Sequence, residues 1–371
     1  MAARTGFVWH ETFMWHSQGR YSGLMPAGFP VQPGHHYETP ESKRRIKNLF
    51  DACGLTPQLL SIAPRSATDL ELERVHKPEY LAQLARDNEL PEASAGFDAP
   101  FVRGSFDLAR LASGGAIEAV DRILSGEIDN AYMLARPVGH HAESGIGKGF
   151  CLLNNAAVAA AHALANGIER IAFVDVDVHH GNGAEEIFWR NPRVLTISVH
   201  QERWFPPDSG DVDDIGEGAG RGFNLNIPLP AGSGFGAYKA ALDDVIIPAL
   251  DIYRPQLLFL PFGFDAGAQD PLGRMILGSS HFRYLATALK GSAERHCNGR
   301  IMVTHEGGYN EATAPFFALA MVEAISGIES GVIDPYGAIM DSMSGHQLLA
   351  HQREAVDGAK ANLAILREAI G

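Results

Sequence analysis

Apolar residues along this chain fall into two alternating rhythms. Short, β-branched and aromatic runs at 131–135, 171–178, 194–199, 257–262 and 300–304 read as buried strands. Between them, stretches with apolar positions three and four apart, at 154–165, 184–190, 236–252 and 280–296, read as helices. Strands alternating with helices specify parallel pairing and a layered α/β/α arrangement. Upstream, Gly6 to Trp9 predicts a first edge strand. Thr39-Pro40-Glu41 opens a helix that runs to about Cys53 and stops at Gly54, and residues 78–88 predict another. A longer amphipathic pattern from Phe106 to about Leu124 is interrupted by Gly114-Gly115. Residues 10–40 show no period and are rich in Gly, Pro, His and aromatics, which predicts a long irregular segment. Trp9, just before it, and Trp15 and Phe29 within it are expected to pack, within the chain or against another subunit. His10, His16, His35 and His36 lack the convergent carboxylate or cysteine spacing of a metal site. No repeat, low-complexity tract or linker divides residues 1–371, which read as one domain with an irregular segment at 1–35.

Composition narrows the function classes. Apolar residues are 46% and charged residues 20% of the 371, as in ordinary globular proteins. Thirty Lys and Arg against 44 Asp and Glu give a formal charge of −14, which argues against nucleic acid as a partner. Cys53, Cys151 and Cys297 are odd in number and far apart, so neither a disulfide framework nor a cysteine zinc site is expected. The first residues lack a secretory pattern and no apolar run approaches the length of a membrane span. A cytoplasmic protein with no membrane partner is the expectation.

Four polar clusters, at 136–141, 175–183, 263–270 and 305–309, each follow the carboxyl end of a strand-like run. Open parallel sheets gather their sites at that edge. In an extended chain Asp175, Asp177 and His179 project on one side, and two buried carboxylates beside an imidazole are costly without a cation. Asp265 follows the run Leu257–Pro261 and reads either as a further carboxylate for that cation or as a helix N-cap. With Asp177 and His179 it would make three protein ligands and leave a position open for water. His140 and His141, in Arg136-Pro137-Val138-Gly139-His140-His141, read as metal ligands, acid–base groups or loop residues, with Asp175 and Asn182 available to orient their rings. Gly307-Gly308 bends the chain before Tyr309, whose phenol can donate to an oxyanion or simply pack.

The Arg136–His141 motif, Gly149-Phe150-Cys151 with Asn154-Asn155, and Asp175–Gly183 together resemble the zinc-dependent histone deacetylase superfamily. Gly263-Phe264-Asp265-Ala266 and Glu306-Gly307-Gly308-Tyr309 carry the same resemblance, which spans about residues 36–325. That superfamily includes acetylpolyamine amidohydrolases, and Phe205–Gly210 with Asn182 looks most like the bacterial class II-type deacetylase-like amidohydrolases. The resemblance implies the three-layer α/β/α arginase–deacetylase fold, with a mostly parallel sheet of about eight strands. It implies zinc on Asp177, His179 and Asp265, an acid–base pair in His140 (backed by Asp175) and His141 (backed by Asn182), and Tyr309 as oxyanion donor. Of the two imidazoles, His141 is taken as the base. Phe150 and Phe205, with Gly149 and Leu272, would line a narrow tunnel, and Asp98 would bind substrate at its rim. Structural potassium is also implied, at Asp175 with backbone groups of Asp177, His179, Ser198 and Val199, and at carbonyls of Phe188, Asn191, Val194 and Phe223. The expected substrate is an acylated amine, an acyl-lysine or a small-molecule analogue, and the expected assembly is a homo-oligomer.

Two departures bear on these expectations. Asn182 stands where the class I branch has Asp, which lowers the expected basicity of the second histidine. Leu272 stands where polyamine-specific relatives carry Glu, which disfavours an acetylpolyamine substrate. An arginase-like binuclear manganese site would need an Asp where Gly181 lies. A non-catalytic binding protein would have lost Tyr309 or the histidine pair. The donor set, two carboxylates and one imidazole, suits zinc or ferrous iron.

Overall fold

Eight apolar runs pair side by side into one parallel sheet. In chain order they are β1 (Thr5–Val8), β2 (Leu60–Ile62), β3 (Asn130–Met133), β4 (Ile171–Asp175), β5 (Val194–Gln201), β6 (Asn224–Leu229), β7 (Leu257–Phe262) and β8 (Ile301–His305). The structure, a computed structural model, describes residues 3–371. Across the sheet the order is β6-β5-β4-β7-β8-β3-β1-β2, and every neighbouring pair is parallel.

Alternation along each strand assigns its side chains to two separate cores. Tyr132, Ala172, Val174, Leu258, Leu260, Ile301 and Val303 pack against helices Pro40–Ala52, Ser279–Cys297 and Ala314–Ser326 on one face. Ala131, Met133, Ile171, Phe173, Leu257, Phe259 and Met302 pack against Ser105–Leu124 and Asn155–Ala165 on the other. Both faces are therefore covered, as a wholly parallel sheet requires. The order also brings β4, β7, β8 and β3 together as four consecutive neighbours. These are the strands whose carboxyl ends carry the four polar clusters.

The expected elements form with small shifts at their ends, and four details differ. β1 is an inner strand, paired with β3 on one side and β2 on the other, rather than an edge. β2 and β6 lack a strong strand pattern: β2 has three residues, and Pro228 in β6 is tolerated because that strand is an edge with one partner. Helix Ser105–Leu124 runs unbroken through Gly114, where an added Cβ would lie 1.8 Å from the Arg65 carbonyl, so the glycine serves close packing and not interruption. Trp9 packs against the cores, but Trp15 and Phe29, within residues 10–40, stay exposed on this chain. Among the described residues no helix is long and apolar enough to cross a membrane.

One buried ion pair ties the irregular segment to the sheet. The Arg136 guanidinium, just past β3, donates from Nε and Nη2 to the two oxygens of Glu38, each at 2.6 Å, and from Nη1 to the His16 carbonyl at 2.8 Å. Gln18 Nε2 donates to Glu38 as well, and both charged side chains are fully buried. Burial opposes charge on Glu38, yet Arg136 and Lys43 outweigh it and hold the carboxyl far below its usual range. Because the folded pKa is depressed, the stabilisation is complete above the unfolded value of about 4.3 and is lost as pH falls below it. Glu38→Gln is expected to cost roughly 3–5 kcal/mol at pH 7, as for a broken buried pair. Urea unfolding of wild type and variant should show that gap narrowing below about pH 4.3, and a pH-independent gap would contradict the ion-pair account.

Candidate metal centre and tunnel

The carboxyl ends of β4 and β7 place three side chains around one point. Asp177, His179 and Asp265 each offer a ligand atom, all within 4.8 Å of one another, and all three residues are buried. His179 Nδ1 lies 3.0 Å from Asp177 Oδ1 and 3.1 Å from Asp265 Oδ2. The remaining carboxylate oxygens are held by backbone: Asp265 Oδ1 accepts from Val178 N at 2.9 Å, and Asp177 Oδ2 from Gly307 N at 2.7 Å. Of these carboxylate oxygens Asp265 Oδ2 alone has no hydrogen bond of acceptable geometry, a buried oxygen left for another partner. Space is reserved around these oxygens. An added Cβ at Gly307 would lie 1.9 Å from Asp265 Oδ2, and one at Gly263 would lie 2.0 Å from Asp177 Oδ2.

Beside this cluster the two histidines after β3 diverge. Their ring centroids are 3.9 Å apart, too close for both to carry charge at low cost. His140 Nδ1 faces Asp175 Oδ2 at 3.1 Å and its Nε2 lies 3.8 Å from Asp177. Burial works against its charged form, but Asp177 and Asp175 push it up to about 10. His141 Nδ1 faces the neutral Asn182 Oδ1 at 2.7 Å, and burial with the neighbouring imidazoles His140 and His179 drives it far below the ordinary value. The two imidazoles are thus pushed in opposite directions, His140 up and His141 down.

Tyr309 completes the inner wall. Burial, then Asp265 and Asp177, push its phenol well above 10, so it keeps its proton. Asp270 fixes the turn that presents it, accepting from Tyr309 N at 2.7 Å and Asn310 N at 3.2 Å. Glu306 does the same for the histidines, accepting from Gly139 N and His140 N at 2.8 and 3.1 Å. Both residues lie within the polar clusters, where sequence patterning assigned them no role.

A cavity of about 160 Å³ leads to this point. It is lined by Phe150, Phe205, Gly149, Leu272, His141, His179 and Tyr309, with Asp98 exposed at the rim. Phe97 stacks on Phe205 at 5.7 Å, and Phe150 N donates to the Asp98 carbonyl at 2.7 Å, which ties rim to wall. Leu24 and Trp204 also line it, and neither was foreseen. Trp204 adjoins Phe205 in sequence, the one available signal; its Nε1 donates to the Leu272 carbonyl at 2.6 Å. Leu24 arrives from the aperiodic segment with no signal at all. Of the groups expected around potassium, Asp175 and Ser198 are register partners on β4 and β5. Phe188, Asn191, Val194 and Phe223 gather at the opposite, amino-terminal end of β5, where the Phe188 and Phe223 carbonyls already accept from Asn191 N and Thr196 N.

The layered parallel sheet and the acidic, histidine-rich pocket at its carboxyl edge define a protein of the arginase–deacetylase fold class. Residues 36–325 match the histone deacetylase domain model, and the chain belongs to that family. It is 47% identical over 339 residues to the histone deacetylase-like amidohydrolase of Pseudomonas aeruginosa, covering 90% of this chain and 89% of that one. Histone deacetylase 8 of Arabidopsis thaliana is 35% identical over 348 residues, covering 90% of each. The crystal structure of the HDA15 HD domain superposes with a TM-score of 0.85 at 30% identity, covering 99% of this chain and 96% of that chain. A deacetylase or amidohydrolase activity follows from this membership.

Gly307→Ala would drive a methyl group into the Asp265 and Asp177 oxygens. The variant is expected to lose about 10–100-fold in divalent-metal affinity, measured by competition with a chromophoric chelator. Unchanged affinity would show that these oxygens are not the metal's ligands.

Proposed function

We propose that the protein is a zinc-dependent amidohydrolase that removes acetyl or related acyl groups from amines, most favourably N-acyl-lysine or a small-molecule analogue. The observation that carries the reading is the buried Asp177–His179–Asp265 cluster, with one orphaned oxygen, at the floor of an apolar cavity that also presents His141 and Tyr309. The donor set fits a zinc ion, which would be held by Asp177, His179 and Asp265 and, when bound, would polarise the acyl carbonyl and acidify a water. The charges and the orphaned oxygen at this point are what such an ion would satisfy.

The other steps belong to the chain's own residues. Phe150 and Phe205 hold an extended acyl-amine stem between two aromatic walls and exclude bulk water. His141, the neutral imidazole, takes the proton of the attacking water and later returns it to the leaving amine. His140, whose Nδ1 faces the Asp175 carboxylate, stands beside the reacting centre as an electrostatic helper. Tyr309 retains its phenolic proton and donates it as a hydrogen bond to the oxyanion that develops on the carbonyl.

Leu272 selects among amines. It lines the cavity with an apolar side chain and cannot pair with the secondary ammonium of a polyamine, whereas the methylene stem of lysine meets no such need. Asp98 at the rim would accept from the backbone of a peptide substrate. Potassium at Asp175 and Ser198 would brace the strand end that carries the ligands, and the exposed Trp15 and Phe29 would be covered by a second subunit. We place the activity in the cytoplasm.

Steady-state hydrolysis of acetyl-lysine, trifluoroacetyl-lysine and acetylpolyamine by zinc-loaded protein tests the reading. The lysine substrates should be preferred, and Tyr309→Phe should lower kcat by about 10²–10³-fold. Preference for acetylpolyamine would contradict the role given to Leu272, and undiminished turnover by the variant would remove Tyr309 from the chemistry.

A further inference from the structure

Asn182 offers His141 a neutral partner, and the structure places a carboxylate one link further out. Asn182 Oδ1 meets His141 Nδ1 at 2.7 Å, while its Nδ2 donates to the His141 carbonyl at 3.1 Å and to Glu143 Oε1 at 2.8 Å. Two acceptors on the Nδ2 side leave the amide a single orientation, since the reverse would set its oxygen against two oxygens. Glu143 is itself anchored. Its N–H donates to the Ile146 carbonyl, its own carbonyl faces His76 Nδ1, and Lys148 Nζ donates to the same Oε1 at 2.5 Å. The Glu143 side chain is only 18% exposed, so its charge is weakly screened, and it does not line the cavity.

We propose that Glu143 is a positioning residue for the hydrolysis, acting on His141 through Asn182. By fixing the amide it makes Asn182 Oδ1 the acceptor, which holds His141 as the Nδ1–H tautomer and leaves Nε2 free to take a proton. Its carboxylate also supplies, at one remove, the negative charge that steadies His141 once protonated. Lys148 moderates that charge from the strand segment next to Phe97, with which it is paired. The inference rests on the proposed role of His141 as proton carrier.

A double-mutant cycle in the zinc-loaded protein tests it, because the relay predicts a sign reversal. Glu143→Gln should lower kcat about 10–100-fold with KM and thermal stability unchanged. Asn182→Asp alone should also lower kcat, because it sets a second carboxylate against Glu143. The double variant, with a carboxylate directly on His141 and none behind it, should be more active than either single variant. Full activity in Glu143→Gln, a loss confined to KM or stability, or additive losses in the double variant would overturn the relay. Imidazole 15N spectra of metal-bound protein give a readout that needs no turnover, with His141 assigned by its loss in His141→Gln. Wild type should show one Nδ1–H tautomer and Glu143→Leu a mixture, whereas an unchanged spectrum in Glu143→Leu would overturn the proposal. Wild type that hydrolyses no acylated amine would defeat the amidohydrolase reading, and the spectra would still decide the tautomer.

Discussion

Five carboxylates, Asp175, Asp177, Asp265, Asp270 and Glu306, are buried at one edge of the sheet, and the surrounding structure exists to make that concentration of charge tolerable. Unpaired, each would cost several kcal/mol or take up a proton. Backbone N–H groups of Asp177, Val178, Gly307, Tyr309 and His140 meet their oxygens, and the turns that carry those groups owe their shape to this service. The imidazoles of His140 and His179 face Asp175 and Asp177. What is left over, between Asp177, His179 and Asp265, is one carboxylate oxygen, Asp265 Oδ2, with no hydrogen bond. That unpartnered oxygen is the physical basis for placing a metal there.

The same carboxylates sort the histidine pair. Two adjacent imidazoles of identical intrinsic basicity are driven apart because one faces carboxylates and the other an amide. The tunnel follows from a different constraint. Its walls come from segments distant in sequence, brought together by the stacking of Phe97 on Phe205 and by Trp204 on the Leu272 carbonyl. The irregular amino-terminal segment reaches the cavity mouth with Leu24, and the Arg136–Glu38 pair ties that segment to the end of β3.

Much of this was legible in the residues. Buried parallel strands are near-continuous apolar runs, so β4, β5, β7 and β8 stand out, and a polar cluster directly after such a run is conspicuous. Local spacing also places Asp177 and His179 together without any knowledge of the fold. Strand order is not local: that β4, β7, β8 and β3 are neighbours depends on tertiary pairing, which no window of sequence contains. Arg136 and Glu38 are 98 residues apart, and nothing in either neighbourhood announces the other. Trp204, Leu24 and Glu143 lacked a signal for a related reason. Each is an isolated aromatic, apolar or acidic residue whose meaning comes only from what it touches. Trp15 and Phe29 show the converse, since aromatic character predicts packing while both stay exposed on this chain.

The claim on which the account turns is that one ion sits among two carboxylates and one imidazole. Zinc stoichiometry combined with K-edge X-ray absorption of the reconstituted protein tests it most directly. The account predicts one zinc per chain, a shell of oxygen and nitrogen without sulfur, one imidazole in the scattering pattern, and loss of that ion in Asp265→Asn. Two metals per chain, sulfur in the shell, or an unaltered spectrum in Asp265→Asn would contradict it.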